Sequence, residues 1–248
     1  MTPDTPGMPL RPLFTLHDGL ELVLASASPR RRQFLAEWGL PFQTLCADAP
    51  EPRPGADETP DAYTRRAAVA KARAAAHCLA AEPRFAAAQH CLVLAADTVV
   101  AVDGDILGKP ENPGHALRML ERLNGRGHEV ISAVCLLAPD AAESGATPLA
   151  EGASAAPEVQ ECSFGLWRQL VFSDMSRVFF CRWPCSVLRA YVRTGEPADK
   201  AGAYAVQGQG AALVERVEGS WSTVVGLPVT MLAGLLLRRG LMSPAAAR

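Results

Sequence analysis

The sequence predicts an α/β fold, and three observations carry that prediction. Strand-like apolar runs and segments of helical spacing alternate three times before residue 130. Proline and asparagine–glycine punctuation marks where the helical segments start and stop. The 248 residues, 49% of them hydrophobic, supply enough apolar surface for one large domain or two lobes sharing a core.

"LELVLA", residues 20–25, is the first strand, and "RRRQFLAEWGL" is the helix after it, with Ser28 placed to cap and Pro29 at the first helical position. Thr59-Pro60 opens a long Ala-rich helix that runs to about residue 81. "CLVLAADTVVAVDGDILGKP" is a buried strand that turns back at Asp103-Gly104, a dipeptide suited to a two-residue hairpin. Asn112-Pro113 caps a helix carrying Leu117, Leu120 and Leu123, and Asn124-Gly125 ends it. "HEVISAVCLLA" is the next strand. Residues 139–163 are rich in Ala, Pro, Glu, Ser and Gly and read as a loop insertion. A strand through "RQLVFSDMSRVFF" and a helix "PCSVLRAYVRTG" resume the core, with Gly195 as terminator. "AALVERVEGSWSTVVGLP" reads as two strands about Glu218-Gly219, and "PVTMLAGLLLRRG" as the closing helix. Residues 1–19 read as a flexible N-terminal extension, and residues 20–240 as a single domain.

Composition narrows the partners. Lys and Arg total 24 against 26 Asp and Glu, for a net charge of −2, so no basic excess is available to grip a nucleic-acid backbone. Any anion site has to be built locally. No stretch reaches the roughly 18 uninterrupted apolar residues of a membrane span, and the Pro, Gly and acidic breaks in residues 1–19 are unlike a signal peptide. Seven cysteines without paired C-x-x-C spacing suit a reducing compartment, here the cytoplasm, better than a disulfide framework. His77-Cys78 and His90-Cys91 match no zinc-ligand spacing.

"LASASPRRR", residues 24–32, sets three arginines where a strand feeds a helix. The N–H groups of a helix N-terminus and nearby guanidinium groups both favour an anion, so the stretch reads as a phosphate or carboxylate trap, its arginines near the mouth. Its alternative is a basic first turn on a solvated helix. Asp97 interrupts the apolar run "LVLAADTVVAV", and a carboxylate on a buried strand is costly unless it is paired, binds metal or lies at an open edge. Lys109, in "GKP" just past the hairpin, can face the same pocket. "DKAGAYAVQGQGA", residues 199–211, gathers three glycines around Tyr204, Gln207 and Gln209, a composition suited to close backbone approach and amide reading of a flat polar ring. It lacks the G-x-G-x-x-G fingerprint, which removes the case for a dinucleotide-dependent oxidoreductase.

Taken in order, "LASASPRR", the acidic Glu51, "AVAKARA", "AADTVV", "LGKP", "DKAGAYAVQG" and "VVGLP" resemble the motif set of the Maf family of nucleoside triphosphate pyrophosphatases over residues 22–237. The resemblance implies an ITPase-like fold, a mixed central sheet with flanking helices and two lobes around a cleft. It also implies hydrolysis of dTTP and UTP, or modified pyrimidine nucleotides, to monophosphate and diphosphate with a divalent cation, Mg2+ or Mn2+, keeping non-canonical nucleotides out of nucleic acids. On the matching positions it implies Asp97 as the catalytic aspartate, Glu51 and Asp97 as metal ligands, and Ser26, Arg30, Arg31, Lys71 and Lys109 as phosphate-binding residues. Arg30, Thr98 and Gln207 match the branch acting on dTTP and UTP. A nucleoside triphosphate is the implied partner, without nucleic acid or membrane, and a homodimer is compatible with the pattern. The chain departs from the family at "CRWPCSVLRAYV", which lacks the usual acidic helix start, and in the length of 139–163. The rival reading is a non-catalytic nucleotide-binding regulator of cell division; a binder without metal gains nothing from carboxylates beside a polyanion.

Overall fold

Helix and strand boundaries follow the chain's punctuation in the computed structural model, which describes residues 11–47, 52–81, 90–139 and 158–245. The elements in order are β1 (Phe14–Leu16), β2 (Glu21–Leu24), α1 (Pro29–Glu37), β3 (Phe42–Thr44), α2 (Pro60–Ala81), β4 (Cys91–Val102), β5 (Asp105–Leu107) and α3 (Pro113–Leu123). There follow β6 (Gly127–Pro139), β7 (Gln160–Phe164), β8 (Trp167–Phe180), α4 (Cys185–Arg193), β9 (Val214–Glu218), α5 (Trp221–Val225), α6 (Val229–Arg238) and β10 (Met242–Pro244). The main sheet runs β3-β2-β4-β6-β8-β7, with β5 on β4 and β9 on β8. Its β3-β2-β4 part is parallel and the remainder antiparallel. The sheet is therefore mixed, as the family resemblance implies.

Topology chooses the site. From β2 the chain passes through α1 to β3 on one side of β2, and from β3 through α2 to β4 on the other. Crossovers of one hand in opposite directions put the two helices on opposite faces and open a crevice beyond the C-terminal end of β2. The packing agrees with this. Leu92, Leu94 and Ala96 of β4 join a core with Leu35 of α1 and Leu232, Leu235 and Leu236 of α6, whereas Val93 and Ala95 join one with Ala68, Ala72, Ala75 and Ala76 of α2. Alanines on that face of α2 let the helix lie close to the sheet. Farther along, Val100 and Val102 pack with Leu120 and Leu123 of α3 and Leu188 of α4, forming a second lobe on the same long strands.

The Asp103-Gly104 turn returns β4 onto β5, with both residues at positive φ and Val102 paired with Asp105. Asn112 caps α3 by accepting from the His115 N–H at 2.8 Å. Three expectations need correction. The second strand expected after Glu218-Gly219 is instead α5. Ser220 caps it, and its buried Ser222 and Thr223 find hydrogen-bond partners in the helical arrangement. Residues 160–163, read as loop, belong to β7, which takes its place from main-chain pairing with β8 while its side chains stay largely exposed. Residues 140–157 of that insertion lie outside the described residues. Within the N-terminal extension, residues 14–16 form β1 and pair antiparallel with β10, while residues 1–10 lie outside the description.

Candidate active site

A cleft of about 920 Å³ opens beyond β2, between the two lobes. Its floor is the turn from β2 into α1. Leu94 O accepts from Ala25 N at 2.8 Å, and β2 then leaves the sheet. Carbonyls repeat their direction every second residue along a strand, so Ala96 O also points toward β2, where β2 has already ended. Arg31 fills this gap. Its guanidinium donates to Ala96 O at 2.7 Å, Gly226 O at 2.8 Å, Ser26 Oγ at 3.1 Å and Thr98 Oγ1 at 3.1 Å. One side chain thus ties together the β2–α1 turn, β4 and the turn between α5 and α6. Burial pulls the Arg31 guanidinium down to about 10; the Asp97 charge opposes that and the neighbouring Arg30 charge adds to it.

Arg31, expected near the mouth as a phosphate-binding residue, thus gives four of its five guanidinium N–H donors to the protein while it lines the cleft. Arg30 presents the opposite case. It lines the cleft half-buried, and its Nε is buried with no hydrogen-bond partner. An orphaned guanidinium N–H beside a cleft is a donor suited to an acceptor on a ligand. Arg32 is exposed. Ser28 occupies the N-cap of α1 but its side chain makes no capping bond; its N–H instead donates to Ser26 Oγ at 3.2 Å. The capping expectation for Ser28 fails on this point.

Thr98 sits inside a polar network and not free in the cleft. Ser132 Oγ donates to Thr223 O at 2.7 Å, so the single hydroxyl proton of Thr98 closes the 2.8 Å contact with Ser132 Oγ. Thr98 Oγ1 then accepts from Arg31, and the Thr223 hydroxyl donates to Asp174. Ser132, Thr223 and Asp174 brace Arg31 from behind. Sequence reading missed all three, since polar residues in strand and turn segments carry no mark of burial.

Asp97, 4% exposed, lies at the middle of β4 opposite Ala133, on the face covered by α2. Lys71 of α2 donates to its Oδ1, with the lysine side chain 30% exposed toward the cleft. Lys109 stands exposed at the rim, where Gly108 O accepts from Gly202 N at 3.0 Å and so ties the "LGKP" segment to the glycine-rich one. Gln207 reaches the opposite wall, half-buried. The structure thus brings Ser26, Arg30, Arg31, Lys71, Asp97, Thr98, Lys109 and Gln207 to one cleft. Glu51 lies outside the described residues. Arg53 and Lys200 also line the cleft and were not singled out in the sequence; the Lys200 ammonium pairs with Asp199 and holds that carboxyl below its ordinary range.

Six basic residues line the cleft, Arg30, Arg31, Arg53, Lys71, Lys109 and Lys200, against the acids Asp97, Glu111 and Asp199. The balance is positive in a protein whose net charge is −2, which suits a compact polyanion. Among the described residues no group of three or more His, Cys, Asp and Glu is placed to hold a metal ion, and no helix is long and apolar enough to cross a membrane.

Comparison with known proteins identifies the family. The family model of Maf-like proteins matches residues 21–239. The dTTP/UTP pyrophosphatase of Oleidesulfovibrio alaskensis is 45% identical over 227 residues, covering 92% of this chain and 89% of the relative. The protein of the same name from Nitratidesulfovibrio vulgaris is 45% identical over 221 residues, and that from Methylococcus capsulatus 41% over 225. With motif order, sheet topology and cleft all in accord, the chain belongs to the Maf family.

Proposed function

We propose that the protein hydrolyses dTTP and UTP between the α and β phosphates, releasing the nucleoside monophosphate and pyrophosphate. The observation that carries this reading is a nearly buried carboxylate, Asp97, set among basic side chains, with the unpartnered Nε of Arg30 beside them. A triphosphate brings about four negative charges, which such a cleft neutralises, and a carboxylate at its centre serves hydrolysis better than simple retention. The names of the relatives support the same choice of substrate.

In this mechanism Arg30, Lys109 and Lys200 hold phosphate oxygens, and Ser26 orients them from a turn that Arg31 keeps rigid. Lys71 exchanges Asp97 for the polyanion when substrate enters, which its partly exposed side chain permits, and frees Asp97 to accept the proton of the attacking water. Gln207 reads the carbonyl–imide–carbonyl edge shared by thymine and uracil with an amide that donates and accepts. The donor chemistry fits Mg2+ or Mn2+, which takes one or two carboxylates and completes its shell with phosphate oxygens and water. Asp97, with Glu51 by family resemblance, would hold the ion, which would supply neutralisation of phosphate charge when bound. The seven free thiols suit a reducing cytoplasm and a house-cleaning role toward unwanted pyrimidine nucleotides.

The test is a nucleoside triphosphate panel in which pyrophosphate and orthophosphate are measured separately, with and without EDTA. Pyrophosphate from dTTP and UTP, abolished by EDTA, is expected. Orthophosphate as first product overturns the assignment.

A further inference from the structure

Gln207 sits on a short arch whose supports lie outside the cleft. Tyr191, near the end of α4, is 5% exposed, and its hydroxyl accepts from Ala205 N at 3.1 Å while donating to Glu196 Oε1 at 2.9 Å. Glu196, just past the Gly195 terminator, accepts in turn from Gly210 N at 2.9 Å and Gln209 N at 3.0 Å. Two side chains thus grip the backbone at 205 and at 209–210, leaving residues 206–208 to span the interval. The main chain closes tightly around them. A Cβ on Gly208, at φ +67°, would stand 2.6 Å from Glu196 Oε2, and one on Gly210 would stand 2.4 Å from Ala205 O and 2.5 Å from the Tyr191 hydroxyl. The glycines of this segment therefore admit the grip itself, beyond any approach to ligand.

We propose that Tyr191 and Glu196 form a clasp that holds the 206–208 arch and thereby sets the preference for thymine and uracil over cytosine exerted through Gln207. The inference rests on the role given to Gln207 above. Neither clasp residue lines the cleft, so both are positioning residues. An amide discriminates between a carbonyl and an amino group only if its own orientation is fixed to a few tenths of an ångström, and an arch of three residues with a glycine at its end has no rigidity of its own. The clasp supplies it. Although partial burial works the other way, the Gly210 and Gln209 amides and the Tyr191 hydroxyl hold the Glu196 carboxyl below its ordinary range, as expected of an ionised acceptor of three hydrogen bonds.

Glu196→Gln turns an NH2 group toward N–H and O–H donors and breaks at least one of these bonds. Tyr191→Phe removes the hydroxyl while keeping the ring. The measurement is the ratio of kcat/KM for dTTP to that for CTP in wild type, Glu196→Gln, Tyr191→Phe, Gln207→Ala and the Glu196→Gln/Gln207→Ala double variant, with thermal denaturation of each. The ratio is expected to fall about tenfold in Glu196→Gln and about threefold in Tyr191→Phe, mostly through a higher KM for dTTP, because one hydrogen bond governs roughly that factor. In the Gln207→Ala background, Glu196→Gln should change the ratio no further, since residues acting through one another are not additive. Equal loss on both nucleotides in the Glu196 and Tyr191 variants, or an additive loss of selectivity in the double variant, overturns the clasp. A wild type that cleaves neither dTTP nor UTP overturns the functional reading instead.

Discussion

Replacing Arg31 by lysine separates bracing from phosphate binding, because the substitution keeps the charge and removes the fork. The guanidinium reaches four acceptors on three chain segments, two of them the carbonyls Ala96 O and Gly226 O. A single ammonium nitrogen reaches one of these carbonyls and leaves the other, with at least one hydroxyl partner, short of a donor. Each buried group left unsatisfied costs about 1–3 kcal/mol, so the loss comes to roughly 2–4 kcal/mol. For a chain of this size that lowers Tm by roughly 5–15 °C. Arg30→Lys is the internal control: its Nε has no protein partner, so Tm should move by less than about 2 °C, while KM for dTTP rises about tenfold through loss of a charge-assisted contact. Thermal denaturation by circular dichroism and steady-state kinetics on both variants decide the matter. An Arg31→Lys protein that melts within about 2 °C of wild type but shows a tenfold higher KM would refute the bracing role and return Arg31 to the phosphate.

Asp97→Asn should lower kcat for dTTP by about 10²–10⁴-fold, with calorimetric affinity for the nucleotide held or improved, because Lys71 loses its partner to the amide and turns to the phosphates. A kcat within tenfold of wild type would make Asp97 structural. His128, 3% exposed beside Tyr204, is pulled by burial from 6.5 down to about 4, so between these values the unfolded chain binds a proton that the folded one refuses. Its stability contribution is present above pH 6.5 and is lost as pH falls through about 4, by roughly 3 kcal/mol. Urea unfolding of wild type and His128→Phe at pH 7 and pH 4 should show the difference in stability between them shift by about that amount; parallel pH profiles would exclude His128 as the titrating group.

What the sequence disclosed of the fold followed burial. The long apolar runs that became β4 and β6 were legible because both faces of each are covered, and β8 because its apolar residues are mostly buried along an alternating second half. β7 was not, since "QECSF" is an edge strand held by main-chain bonds to β8 and offers almost no apolar pattern. α5 was misread for the opposite reason. The β-branched "STVV" segment resembles a strand locally, but Ser222 and Thr223 are buried with polar partners that only the helical turn brings within reach. β1 and β10 pair across nearly the whole chain length, a relation that no local window contains.

The site was legible by residue type and illegible by direction. An aspartate in an apolar run, lysines flanking it in order and a glycine-rich segment with glutamine all point to the cleft without reference to geometry. "RRR" does not disclose which arginine does what, although the helix assigns them. Successive residues turn by about 100°, so adjacent side chains face different surroundings. Arg31 stands four residues before Leu35, and these two are the buried positions of α1, so its guanidinium is carried against the sheet and must be satisfied by protein carbonyls. Arg30 is turned toward the cleft with an unpartnered Nε, and Arg32 is turned to solvent. Counting back from a buried leucine is a signal the sequence contained. Three like charges can be neighbours here because they face three different surroundings, and Arg31 has its charge spread over four protein acceptors that hold the β2–α1 turn in place.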